Sequence, residues 1–180
     1  MIPPDYFQNE NVLFLGKDLL GKQFVTERGS FLITETESYK APEDKASHAY
    51  KMKRTARNEV MYAQGGCTYV YICYGIHHLL NIVTGKKEQP HAILIRGVLD
   101  LEKSTHFVGP GKVAKAMGVT KSANGRLLNE ENFCLCEAPL LIDEIEELPR
   151  VGIDYAEEYT TVPWRFRLKK SLLEKISNGI

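Results

Sequence analysis

Three tyrosines, Tyr69, Tyr71 and Tyr74, fall within six residues of a strand-like run, and a carboxylate, a fourth tyrosine and an imidazole precede them at Glu37, Tyr39 and His48. Aromatic faces around one ionised group suit a flat, electron-poor ring. A nucleobase drawn out of its stack is such a ring, because it stacks between aromatic side chains and offers its edges to polar ones. Glu35 and Glu37 alternate on one face of an extended run, roughly 6 to 7 Å apart at the backbone, a spacing that also resembles the acid and base of an inverting glycosidase. Each feature has an ordinary counterpart. Alternating Glu is common on solvated strand edges, tyrosines are good β-formers in a half-buried sheet, and a single histidine is more often a satisfied surface or core residue than a ligand.

The elements that must position these residues follow from pattern. Asn11–Gly21 carries a capping Asn, apolar residues at helical spacing and a terminal Gly, so it reads as a short helix. Residues 22–27 and 30–39 read as strands joined through Arg28-Gly29, the second with Leu32, Thr34 and Thr36 on one face and Ile33, Glu35, Glu37 and Tyr39 on the other. From 40 to 64 the chain is polar and irregular, with a turn at Pro42-Glu43-Asp44. Strands are expected over 67–74, 79–84 and 92–99. Tyr69 and Tyr71 then share a face, while Tyr74 sits beside the Gly75 turn, where an aromatic tip can act as a wedge. Gly109-Pro110-Gly111-Lys112 leads into a helix whose N-terminal amides are free. It is not a Walker loop, because Val113 follows Lys112 where Ser or Thr is required. Leu141–Leu148 reads as an acidic helix and Trp164–Leu168 as a closing strand.

With 180 residues and 43% hydrophobic content, the chain is expected to fold as one domain over 1–180. The start, Met1-Ile2-Pro3-Pro4-Asp5, has neither a basic n-region nor a long apolar run, so a soluble, cytoplasmic protein with no membrane partner is expected. The four cysteines at 67, 73, 134 and 136 lack Cys-x-x-Cys spacing, which points to reduced thiols and no metal site. His77 and His78 are adjacent and on a strand would face opposite ways. The net charge is zero but unevenly spread: residues 51–121 hold 11 Lys plus Arg against 4 Asp plus Glu, and residues 122–160 hold 2 against 10. That leaves open either a basic face for phosphates or charges that mix once folded.

Taken together, Glu37-x-Tyr39, Pro42-Glu43-Asp44-x-x-x-His48, Arg57-Asn58-x-x-Met61, Thr68-Tyr69-Val70-Tyr71-x-x-Tyr74-Gly75 and Asn81 resemble, in order, the alkyladenine (3-methyladenine) DNA glycosylase family. Leu94-Ile95-Arg96, Gly109-Pro110-Gly111-Lys112-Val113, Arg150-Val151-Gly152-Ile153 and Pro163-Trp164-Arg165-Phe166 continue the match over nearly the full chain. The resemblance implies a single mixed α/β (α+β) domain with a curved, largely antiparallel sheet surrounded by helices. It implies a monofunctional enzyme that flips a damaged purine out of double-stranded DNA and hydrolyses its N-glycosidic bond without a cofactor. In that reading Glu37 activates water with help from Arg96. Tyr39, His48, Tyr71, Asn81 and Ile153 form the base pocket, and Tyr74 intercalates. Lys53, Arg57 and Lys112 are expected to contact phosphates, and the chain is expected to act as a monomer. Two other readings remain beside it: a single-stranded nucleic-acid binding module with a tyrosine platform, and a carbohydrate hydrolase using Glu35 and Glu37 together.

Overall fold

The side-chain oxygen of Asn11 accepts the Phe14 N–H at 3.0 Å, the capping contact that starts α1 (Val12–Asp18) and turns Val12 and Leu15 inward. In the computed structural model, which describes residues 1–138 and 145–177, α1 lies against a sheet. The strands are β1 (Gln23–Thr26), β2 (Gly29–Tyr39), β3 (Thr68–Cys73), β4 (His77–Thr84), β5 (His91–Asp100), β6 (Thr105–Val108), β7 (Asn129–Glu130), β8 (Phe133–Cys136), β9 (Ile145–Leu148) and β10 (Arg165–Leu168). Two more helices, α2 (Pro110–Met117) and α3 (Lys170–Ser177), complete the α+β architecture. Every pairing is antiparallel, in the order β3-β4-β5-β2-β1-β8-β7, with β6 on β5 and β10 on both β2 and β9.

The sheet curls because its two central strands change partners along their length. β2 pairs with β1 over Gly29–Leu32 and with β10 over Glu35–Glu37, while β5 pairs with β4 over His91–Leu94 and with β6 over Gly97–Asp100. Between these halves β2 holds one extra residue, Thr34, and β5 holds one, Arg96, so the two bulges cancel and the register resumes. Each bulge bends its strand and reverses the faces of the residues beyond it. Phe31 and Ile33 therefore enter the main core, and beyond the bulge the Thr36 and Ser38 hydroxyls donate to the Gly16 and Val12 carbonyls of α1 at 2.6 and 2.9 Å. Glu35, Glu37 and Tyr39 take the opposite face. The simple alternation expected along β2, with Ile33 beside the two glutamates, is corrected here.

The main core joins Val12 and Leu15 of α1, Phe24, Phe31, Leu80, Ile82, Ile93 and Ile95 of the sheet, and Val113, Ala114 and Met117 of α2. A smaller cluster of Met61, Tyr62, Tyr69, Val83 and Ala92 packs on the other side of β3 and β4. α2 starts two residues earlier than the expected 112–117 span, with Pro110 in its first turn, where a missing N–H costs nothing. The acidic segment expected as a helix over 141–148 is corrected over its second half: Ile145–Leu148 is a strand held by β10. Its first half, 141–144, lies outside the described residues. The short β6, β7 and β8 and the helix α3 were not anticipated. No described helix is long and apolar enough to cross a membrane.

Gly97 sits between the two bulges, where an added Cβ would lie 2.7 Å from Thr34 Oγ1 and 2.9 Å from Glu35 Cβ. Gly97→Ala is expected to lower stability by about 1–3 kcal/mol through this overpacking, read as a reduced urea midpoint. An unchanged midpoint would mean that the strands tolerate a methyl group at their crossing.

Candidate active site

On the face opposite α1 the Glu37 carboxylate has no exposure to water. Its Oε1 accepts the Val151 N–H at 3.0 Å and its Oε2 accepts the Tyr39 hydroxyl at 2.9 Å. Arg96 Nε stands 3.5 Å from Oε1. Burial pushes the carboxyl above the usual range, while Arg96, the Val151 N–H, the Tyr39 hydroxyl and Arg150 pull it back. Three of these contacts, Tyr39, Arg96 and Val151, are walls of a cavity of about 410 Å³ that opens to the surface. Glu37 thus lies immediately beneath the cavity floor.

The remaining walls include most of the expected pocket residues. Tyr39, His48, Tyr71, Asn81 and Ile153 all line the cavity, joined by Arg57, Met61, Tyr69, Leu94, Pro110 and Tyr155. The bulged Arg96 enters from β5, and β3 supplies Tyr69 and Tyr71, whose rings lie 5.4 Å apart. His48 comes from the irregular segment after β2, where the Asn58 side chain donates to its carbonyl at 2.9 Å. Its ring stands edge-on to Tyr71 at 4.7 Å, and its Nδ1 is hydrogen-bonded to the Tyr69 hydroxyl at 2.9 Å. Burial, then the Arg57 charge, lower the His48 pKa to about 4, so the ring is uncharged at neutral pH. Burial likewise raises Tyr39, Tyr69 and Tyr71, Tyr69 to about 12, which keeps all three as neutral phenols. The Asn81 amide donates to the Tyr69 carbonyl at 3.0 Å, which fixes it against β3.

Arg150 and Asp44 are the residues that sequence reasoning left without a role. The Arg150 guanidinium is fully buried, bonds both Asp44 oxygens at 2.6 and 2.8 Å, and donates to the Ser38 carbonyl at 2.9 Å. It also lies over the Tyr39 ring at 4.7 Å and over Trp164 at 5.2 Å. The cation backs one face of Tyr39 and pins the Pro42-Glu43-Asp44 turn that leads to His48. Both residues belong to quoted motifs, but a buried pair 106 positions apart in the chain leaves no periodic signal.

At the mouth, β3 and β4 are joined by a hairpin whose tip holds Tyr74 at φ +50° and Gly75 at φ +75°. Tyr74 is 91% exposed, with Ile76 beside it at 72%. A tyrosine in the left-handed region is strained, a condition that tends to persist where function requires it. Lys112, in the first turn of α2, and Lys53 are exposed outside the cavity lining and form no ion pair among the described residues. Arg57 is exposed at the cavity rim, with its guanidinium over Tyr71 at 5.1 Å.

The charge imbalance of the sequence resolves through pairing. The acidic segment is neutralised from elsewhere in the chain, as Glu147 pairs with Lys17, Glu146 with Arg167, Glu137 with Lys22, and Glu157 and Glu158 with Lys45. Among the described residues, Lys53, Lys87, Lys112, Lys115 and Lys121 make no ion pair, which leaves a surplus of free cations in the 51–121 segment.

The profile of the methylpurine-DNA glycosylase family matches residues 6–172. A protein of Chlamydia abortus named "Putative 3-methyladenine DNA glycosylase" is 43% identical over 187 aligned positions, covering 93% of this chain and 98% of its own. Proteins of the same name from Chlamydia felis and Desulfitobacterium hafniense are each 40% identical, covering 98% and 92% of this chain and 100% and 94% of their own. Carrying a buried carboxylate under an aromatic cavity, and matching the family from one end of its fold to the other, the chain belongs to the methylpurine-DNA glycosylase family.

Proposed function

We propose that the protein is a DNA glycosylase that draws an alkylated purine out of duplex DNA and hydrolyses its N-glycosidic bond, leaving an abasic site. The observation that carries this reading is the Glu37 carboxylate, sealed from solvent yet bonded to two cavity walls. In the proposed reaction the base enters between Tyr39, Tyr71 and His48, and the deoxyribose C1′ faces the floor. Glu37 takes a proton from water as that water attacks C1′, and its charge stabilises the oxocarbenium character of the sugar. Arg96 orients the water. A purine methylated at N3 or N7 is already cationic, so it departs as a neutral heterocycle and needs little general acid.

Selectivity follows from the same walls. Phenols and an uncharged imidazole attract a cationic ring by about 0.5–2 kcal/mol through cation–π contact, and intact purines are poorer leaving groups that cost more to extrude. Asn81 is assigned to the exclusion of guanine through its exocyclic amine. Among the described residues no lysine lines the cavity, which favours water over a Schiff-base lysine as the nucleophile. Tyr74 is assigned to the gap left in the duplex, with Lys112 and Lys53 on the phosphates. An open tyrosine platform for single strands fits less well, since Tyr69 is only 2% exposed and lies within the cavity. A joint Glu35–Glu37 glycosidase fits less well too, since Glu35 is bonded to two arginines.

Glu37→Gln is expected to lower single-turnover release of a methylated purine by at least about 100-fold while duplex binding persists. Release by the wild type should rise with pH as Glu37 loses its proton, with an acid limb above the ordinary carboxylate range. Because burial raises the pKa in the folded state, this group contributes its stability at pH values below the unfolded pKa and loses it as pH rises through the folded one. Glu37→Gln should therefore melt higher than wild type at pH 7, with the gap closing in acid. Near-normal turnover in Glu37→Gln would remove the water-activation role.

Tyr74→Gly should relieve the positive φ, so its melting temperature should not fall, while the fluorescence change of a reporter purine on extrusion should be largely lost. Retained extrusion would mean that the tip is not a wedge. Lys112→Ala should weaken binding to all duplexes alike and reduce the salt slope by about one. An unchanged slope would place the phosphates elsewhere.

A further inference from the structure

Glu35 shares its strand face with Glu37, and the reaction outlined above assigns it nothing. It is buried, and its Oε1 accepts from two guanidiniums at once, Arg96 Nε at 3.1 Å and Arg165 Nη1 at 2.9 Å. The same Arg96 Nε stands 3.5 Å from Glu37 Oε1, so one N–H faces two carboxylates and is bonded to Glu35. Arg165 also donates from Nε to the Pro149 carbonyl at 2.7 Å, two residues before the Val151 N–H that holds Glu37.

We propose that Glu35 is a positioning residue for Glu37: it holds the Arg96 guanidinium off the Glu37 carboxylate and, through Arg165, sets the Pro149–Val151 segment that supplies its N–H. The proposal rests on the reading of Glu37 as the base. The groups facing Glu37 are Arg96 from β5, Arg150 and the Val151 N–H from the segment after β9, and the Tyr39 hydroxyl from its own strand. Arg165 of β10 lies opposite Glu37 in the register but sends its guanidinium to Glu35. His106 of β6, hydrogen-bonded to Thr34, faces the Glu35 side. Arg150 is held by both Asp44 oxygens, so Arg96 is the cation free to change partners. Without the Glu35 charge, Arg96 would close on Glu37, stabilise its anion, and cover the oxygen that must receive a proton from water.

The test is single-turnover release of a methylated purine from a duplex across pH for wild type, Glu35→Gln, Arg165→Gln and Glu37→Gln. A ¹³C NMR titration of the Glu37 carboxyl in each free protein that retains it accompanies the kinetics. In Glu35→Gln the acid limb and the NMR titration are expected to move down by about one pH unit, and the plateau rate should fall about tenfold. In Arg165→Gln, Glu35 is left to Arg96 alone and draws it away, so both readouts are expected to move up. Both limbs remaining at the wild-type pH, with only the amount of active protein changed, would make Glu35 a structural residue and overturn the proposal. If Glu35→Gln does not fold, the upward shift in Arg165→Gln decides the matter, and its absence overturns the proposal. Wild-type turnover in Glu37→Gln would instead dismiss Glu37 as the base, and the NMR titration would still report whether Glu35 governs its ionisation.

Discussion

A carboxylate buried without water is costly unless its charge is answered, and the Glu37 side chain sets this constraint on everything around it. Its two oxygens are answered by one backbone N–H and one phenol, with a guanidinium slightly beyond bonding range. The arrangement is a compromise. Fuller pairing would make the group an inert ion-pair member, and weaker pairing would leave it protonated. Arg150 adds positive potential without a hydrogen bond to Glu37, its Nη1 and Nη2 being taken by Asp44 and the Ser38 carbonyl.

The double bulge makes this placement possible. Residues on β2 before it pack the main core, and the parity change lets Thr36 and Ser38 bind α1 while the carboxylates face the cavity. On β5 the matching bulge is Arg96 itself, the cation that faces both glutamates. A regular ladder would have placed apolar and acidic side chains on one surface. The irregularity of the sheet and the chemistry of the site are therefore one feature, with Gly97 between the bulges allowing the backbones to approach.

Much of this was legible from the chain. The first helix, the central strands and the hairpin carrying Tyr74 follow from capping, periodicity and glycine placement, and the residues expected around the base line one cavity. Other parts were not legible for physical reasons. Thr34 and Arg96 have nothing in their side chains that announces an extra backbone residue, since a bulge is a property of two strands together. The 141–148 stretch is acidic at helical intervals, yet over Ile145–Leu148 pairing with β10 and charge pairing with Lys17 and Arg167 outweigh local propensity. The pairing of Arg150 with Asp44 depends on a contact between segments far apart in sequence. Arg57 is a surface cation by composition, and only the fold brings it over Tyr71.

The Tyr74 hairpin is anchored along its whole length by the β3–β4 ladder, from Thr68 opposite Ile82 to Cys73 opposite His77. A probe so mounted has little freedom to retract when it meets an intact stack. Under the proposed function the give must come from the nucleic acid, and base steps that unstack readily would yield first. Where along a genome the enzyme lingers would then be written partly in the mechanical softness of the sequence surrounding the lesion, before any chemical recognition of the damaged base begins.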